Sequence, residues 1–132
     1  MRRKAVWALL IAGMIFLASS RSRIAAAQVI FLPVDKVGHF GVYGLLATLL
    51  CRIGSGWRAA VWAVVAASVY GVSDEFHQSF VPGRGVEFAD WVADTAGAAL
   101  AVGLYRGWSG YRKLLEIPLG RRRAVDAASG GR

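Results

Sequence analysis

Three short segments hold most of the side chains able to move protons or hold charge. They are Asp35, Lys36 and His39; then Asp74, Glu75, His77 and Gln78; then Glu87, Asp90 and Asp94, with Arg84 just ahead of the last. Asp35 and His39, Asp74 and Gln78, and Asp90 and Asp94 are each four apart, so each pair shares a face if its segment is helical. Glu75 and Gln78, and Glu87 and Asp90, are three apart and meet the same condition. Carboxylates and histidines are the usual groups for general acid–base work. Glu75 and Asp90 are the candidates for that work or for holding a cation, with Gln78 and His39 orienting them as the remaining catalytic candidates. Lys36 and Arg84 are expected to bind an anionic group, since a guanidinium grips carboxylates and phosphates through parallel donors. Asp35, Asp94 and His77 complete the expected ligand-binding set.

The local charge balance constrains this chemistry. The carboxylates Asp35, Asp74, Glu75, Glu87, Asp90 and Asp94 face only two fixed cations, Lys36 and Arg84. Such an excess is relieved by protonation of some carboxylates, by a divalent cation with oxygen ligands plus His39 or His77, or by solvation. In the last case Asp35 and Asp90 act as helix N-caps. The segment Asp74-Glu75-Phe76-His77 lacks the second histidine of the metalloprotease spacing, so no metal motif is met. Sequence alone identifies no cofactor, and no nucleophile is accompanied by a recognisable base.

The elements that must position these residues are apolar. Uncharged stretches run between Lys4 and Arg21, Lys36 and Arg52, Arg58 and Asp74, and Asp94 and Arg106. Each falls short of the roughly 20 residues a spanning helix needs. Each helix therefore carries polar residues at one end. In helix two these precede the apolar run, entered through Pro33; in helix three they follow it; in helix four they precede it again. Because consecutive membrane helices alternate in direction, all three polar ends fall on one side. The N-termini of helices two and four are expected to point their free N–H groups at that cluster. Between helices three and four, Pro82-Gly83 reads as a tight turn with glycine at positive φ.

These runs give an all-α integral membrane bundle of four short transmembrane helices. Residues 1–24 form the first helix, 30–106 a three-helix membrane domain and 107–132 a basic tail. Twelve lysines and arginines flank one set of helix ends, against four (Arg21, Arg23, Lys36 and Arg84) at the other. The positive-inside rule then places both termini in the cytoplasm and the polar cluster outside the cell membrane. Arg2-Arg3-Lys4, an apolar run and Ala25-Ala26-Ala27 also fit a signal peptide, but Arg21 and Arg23 separate the run from that site, which favours a retained helix. Gly38, Gly41 and Gly44 repeat every three residues, and Ala93, Gly97 and Ala101 every four. Both rows are expected to let helices approach closely.

Composition narrows the classes. The chain has 132 residues, 56% hydrophobic, and a net charge of +8. That apolar share exceeds the norm for a soluble domain. The basic residues flank apolar runs, which argues against nucleic acid as a partner. A lone cysteine, Cys51, excludes an intramolecular disulfide and a thiolate-cluster zinc site. The expected partners are the lipid bilayer, an anionic envelope lipid and a second copy of the chain.

Asp35-Lys36-Val37-Gly38-His39-Phe40 with Tyr43, Ser73-Asp74-Glu75-Phe76-His77-Gln78-Ser79-Phe80-Val81-Pro82-Gly83-Arg84 and Asp90-Trp91-Val92-Ala93-Asp94-Thr95-Ala96-Gly97 together resemble a VanZ-like membrane protein. The resemblance covers residues 30–105 in matching order and spacing. Many relatives carry asparagine where this chain has Asp94. The family takes its name from a protein associated with low-level teicoplanin resistance, and its biochemical activity is not established. The resemblance and the cluster together imply a site that binds or acts on an envelope lipid or a glycopeptide-related ligand. The alternative is an accessory protein whose polar network only fixes helix packing and docks a partner.

Overall fold

The computed structural model describes residues 2–21 and 28–116, with side chains at 4–21 and 36–116. Those residues form five helices and no strand: α1 (Arg2–Ser19), α2 (Gln28–Cys51), α3 (Gly56–Gln78), α4 (Phe88–Gly107) and α5 (Ser109–Leu115). The all-α expectation holds. The basic residues Arg121, Arg122 and Arg123 and the Ala25-Ala26-Ala27 segment lie outside the described residues. By length and composition one described helix, α3, suffices to cross a bilayer; the apolar helical stretches Lys4–Ser19 and Lys36–Cys51 are shorter.

Helix α2 begins earlier than its apolar run suggests. The residues Val29-Ile30-Phe31-Leu32 are already helical, so Pro33, Asp35, Lys36 and His39 sit inside the helix. Pro33 falls near the helix start, where its missing N–H removes only one intrahelical bond. The expectation that the N-terminus of helix two faces the polar cluster, with Asp35 as its cap, is therefore corrected. The side chain of Asp35 lies outside the described residues. At the corner between α3 and α4, Gly83 has φ +79°, the left-handed value its turn requires.

Burial is inverted relative to a soluble bundle. The inner face of α3 consists of Ala60, Ala63, Ala67 and Gly71, followed by Asp74, Glu75 and Gln78. Its outer face shows Trp57, Val61, Trp62, Val65, Val69, Val72 and Phe76. Small residues inside and large apolar ones outside suit a surround that solvates hydrocarbon, because close backbone approach then replaces the hydrophobic effect as the source of helix association. Ala47, Cys51, Ala60, Ala63, Ala67, Ala98 and Val102 join α2, α3 and α4 in one core. Ala8 and Ile15 of α1 pack with Tyr43, Leu46 and Leu49 of α2 in a second.

The closest approach is between α2 and α4. A Cβ at Gly97 would lie 2.1 Å from the Phe40 carbonyl oxygen, and one at Gly44 would lie 3.0 Å from the Gly97 carbonyl oxygen. Of the small-residue rows, the α4 row centred on Gly97 makes this crossing. In the α2 row Gly44 alone takes part, since a Cβ at Gly38 or Gly41 would meet nothing within 4 Å. A repeat of three drifts around a helix of 3.6 residues per turn, which carries the earlier two glycines off the contact face.

Gly97→Ala is expected to lower the thermal unfolding temperature in detergent, at a cost of about 1–3 kcal/mol for overpacking against rigid backbone. Gly38→Ala should leave it unchanged.

Candidate functional site

The antiparallel arrangement of α2, α3 and α4 gathers the start of α4, the end of α3 and the Lys36–His39 turn of α2 at one end of the bundle. On the α2–α4 side, Lys36 Nζ donates to Glu87 Oε2 at 2.9 Å and also to Asp90 Oδ1. One turn further, His39 Nδ1 lies 3.0 Å from Asp94 Oδ1, and His39 Nε2 lies 3.9 Å from Asp90 Oδ2. In the tautomer that carries its proton on Nδ1, His39 donates this bond to Asp94. Asp90 and Asp94 therefore share the face that their spacing implies, and His39 lies between them.

Glu75 closes this group from α3. Its Oε2 accepts the backbone N–H of Glu87 at 2.7 Å. Glu87 is the N-cap residue of α4 but makes no side-chain cap. Glu75 thus caps α4 from a neighbouring helix, where a negative charge also meets the positive end of the helix dipole. Asp90 stands in the first turn of α4 and is not its N-cap. Glu87, whose side chain is 44% exposed, bonds Lys36 through its carboxylate.

A second group faces α1. Ser19 Oγ donates to Asp74 Oδ2 at 2.8 Å, and Gln78 Nε2 donates to the same oxygen at 2.9 Å. Arg84 Nη1 donates to Gln78 Oε1 at 2.9 Å, and Arg84 Nε to the Arg21 carbonyl at 3.1 Å. Gln78 is therefore the partner of Asp74 and Arg84 in this structure, one face removed from Glu75. His77 leaves the carboxylates altogether: its Nε2 lies 3.0 Å from Ser20 Oγ, and its ring packs on Phe16.

The two groups meet at Tyr43, which is fully buried and stacks near His39 at 6.2 Å between ring centroids. Beside it lies a cavity of about 470 Å³. Met14, Ile15 and Ala18 of α1 and Val42 of α2 give it apolar walls; Ser19, His39, Asp74 and Arg84 give it a polar end. Four buried oxygens around these groups have no hydrogen-bond partner among the described residues: Tyr43 Oη, Asp74 Oδ1, Glu75 Oε1 and Asp94 Oδ2. Such orphans are costly in a protein interior and mark places where a further partner fits.

Of the residues singled out in sequence, Lys36, His39, Glu75, Asp90 and Asp94 meet in the first group, and Gln78 and Arg84 in the second. Asp74, Ser19 and Tyr43 are participants that the candidate set omits. Tyr43 stands four residues after His39 and so carries a readable signal. Ser19 carries none, since it enters from α1 across the fold.

The VanZ/LLP1 family model matches residues 4–110, and the chain belongs to that family. No curated protein and no solved structure matches it.

Removing Lys36 leaves the buried Asp90 carboxylate without its cation. Lys36→Met is expected to destabilise the fold by about 1–3 kcal/mol. Adding Asp90→Asn should recover much of that loss, read as a double-mutant cycle of thermal unfolding in detergent.

Proposed function

We propose that this VanZ/LLP1 protein spans the cell membrane with α1 to α4 and binds an anionic envelope lipid in the cavity between α1, α2 and α3. The lipid-linked target of a glycopeptide antibiotic is one member of that ligand class. The observation that carries the reading is the cavity's division into apolar walls and a polar end. An amphiphile needs such a division: chain carbons against Met14, Ile15 and Val42, and a head group among Ser19, His39, Asp74 and Arg84. Its volume of about 470 Å³ lies in the usual range of ligand pockets, large enough for a head group and the first carbons of a chain.

Membrane insertion of all four helices is supported by the outward apolar residues of the shorter helices. Trp7, Leu9, Leu10, Met14 and Leu17 of α1 and Val92, Leu100 and Leu104 of α4 are exposed. Contiguous apolar surface on this scale is rare on soluble monomers. The charge asymmetry of the loops supports cytoplasmic termini and an outward-facing polar end.

A second reading is favoured by one observation: the chain of bonds from Ser19 through Asp74 and Gln78 to Arg84 and the Arg21 carbonyl ties α1, α3 and the following loop together. On that reading the polar network fixes packing and the surface docks a partner protein.

Two measurements test these readings. With Cys51→Ser and Gly85→Cys, a membrane-impermeant maleimide should label intact cells; labelling only after lysis would reverse the topology and remove the outer-leaflet ligand. Gly38 lines the cavity, yet a Cβ there meets nothing. Gly38→Leu should therefore fill the cavity at unchanged thermal stability and reduce co-purifying or titrated anionic lipid, measured by native mass spectrometry, by several-fold. Unchanged lipid binding would favour the packing role.

A further inference from the structure

Two buried polar side chains and one partly buried one converge as ligands would. His39, Glu75 and Asp90 each present one donor atom, and these atoms lie within 4.8 Å of one another. They come from three different helices, α2, α3 and α4. An ion held at about 2.1 Å by each ligand separates two ligands by up to about 4.2 Å. The 3.9 Å between His39 Nε2 and Asp90 Oδ2 already falls inside that limit. A small contraction brings in the third group.

The surroundings point the same way. Lys36 occupies Asp90 Oδ1, and the other oxygen, Oδ2, faces the imidazole. Glu75 is 4% exposed; its Oε2 is taken by the Glu87 N–H, while its Oε1 is buried with no hydrogen-bond partner among the described residues. The contact between His39 Nδ1 and Asp94 Oδ1 holds the ring with Nε2 towards Asp90 Oδ2. This carboxylate–histidine pairing is how metal-binding imidazoles are oriented and made more basic. The charge also fits: among the described residues Glu87 and Asp90 share the cation Lys36, while Glu75 and Asp94 are bonded to the Glu87 N–H and to His39. A dication offsets the excess that burial makes expensive.

We propose that His39, Glu75 and Asp90 bind one divalent transition-metal ion, with Asp94 as the positioning residue for the imidazole. One nitrogen and two carboxylate donors select Zn²⁺ or Mn²⁺ over Mg²⁺ and Ca²⁺, which prefer oxygen alone. Three protein ligands leave at least one coordination position for water or for an oxygen of a bound anion. The site shares His39 with the polar end of the lipid cavity, but it forms without lipid and its loss leaves the apolar walls of that cavity in place.

The test uses the full chain, free of any histidine tag, in detergent, stripped with chelator and loaded with Mn²⁺ or Zn²⁺ alone. About one equivalent should bind, measured by elemental analysis after desalting. Pulsed electron paramagnetic resonance of the Mn²⁺ form should show coupling to one imidazole nitrogen. The chain has two histidines, so the signal should persist in His77→Asn and vanish in His39→Asn. Glu75→Gln should weaken Zn²⁺ binding at least about tenfold, and Mg²⁺ at the concentration of Mn²⁺ should not displace it. The wild-type protein and His77→Asn decide the matter even if the other variants fail to fold. Substoichiometric binding, a Mn²⁺ spectrum without nitrogen coupling, a signal lost in His77→Asn, or displacement by equimolar Mg²⁺ would overturn the proposal.

Discussion

The polar end of this protein exists because α2 and α4 touch backbone to backbone. Gly97 leaves room for the Phe40 carbonyl, and Gly44 leaves room for the Gly97 carbonyl. With any side chain at Gly97 the axes must separate, and the short reach of an aspartate then no longer meets its partner. Asp94 is one turn before Gly97 and His39 is adjacent to Phe40, so the crossing point and the His39–Asp94 bond are almost the same place. Lys36 and Asp90 follow one turn further along each helix. Register at one glycine therefore sets the ion pairs, and α3 is added through Gly71, whose missing Cβ leaves room for the Asp94 carboxylate.

This arrangement exchanges the usual roles of core and surface. The interior near the middle of the bundle is alanine and glycine, with little side-chain area to bury. Close backbone approach there supplies dispersion attraction. Large apolar side chains are displaced outward. Charges at one end are then tolerable only because they are bonded to one another and to the helix start that Glu75 caps. The bonds are unequal in kind: the Lys36 group is ionic, while the Asp74, Gln78 and Arg84 chain spreads one carboxylate and one guanidinium over neutral donors and acceptors. The buried oxygens left over belong to both groups, and they adjoin the cavity and the three-helix ligand set.

Helix α5 and the adjoining corner show a different balance. Arg112 donates to the carbonyls of Tyr105 and Arg106, and Tyr105 donates to Glu116 at 2.5 Å. Basic side chains here satisfy the free carbonyls at the end of α4, where the helix dipole is negative. The same residues that bias the loop charge thus also finish a helix.

Much of the architecture was legible in the order of residues. Four apolar runs separated by charges specify helices, and the alternation of their polar ends brings the Asp35, Glu75 and Asp90 segments to one side by direction alone. The i, i+4 spacing of Asp74 with Gln78 and of Asp90 with Asp94 specifies shared faces, because the helix period is fixed by backbone sterics. What a period cannot specify is which face of one helix meets which face of another. Hence Gln78 reads equally well as a partner of Glu75 or Asp74, His77 reads as part of the cluster although it packs on α1, and Gly38 reads like Gly44. The start of α2 was hidden for a related reason: Pro33 marks a boundary in sequence terms, but near a helix end it forfeits one bond and neighbouring apolar residues carry the helix past it. Only the tertiary structure, through the single close crossing at Gly97, decided that His39, Glu75 and Asp90 from three helices share one point in space.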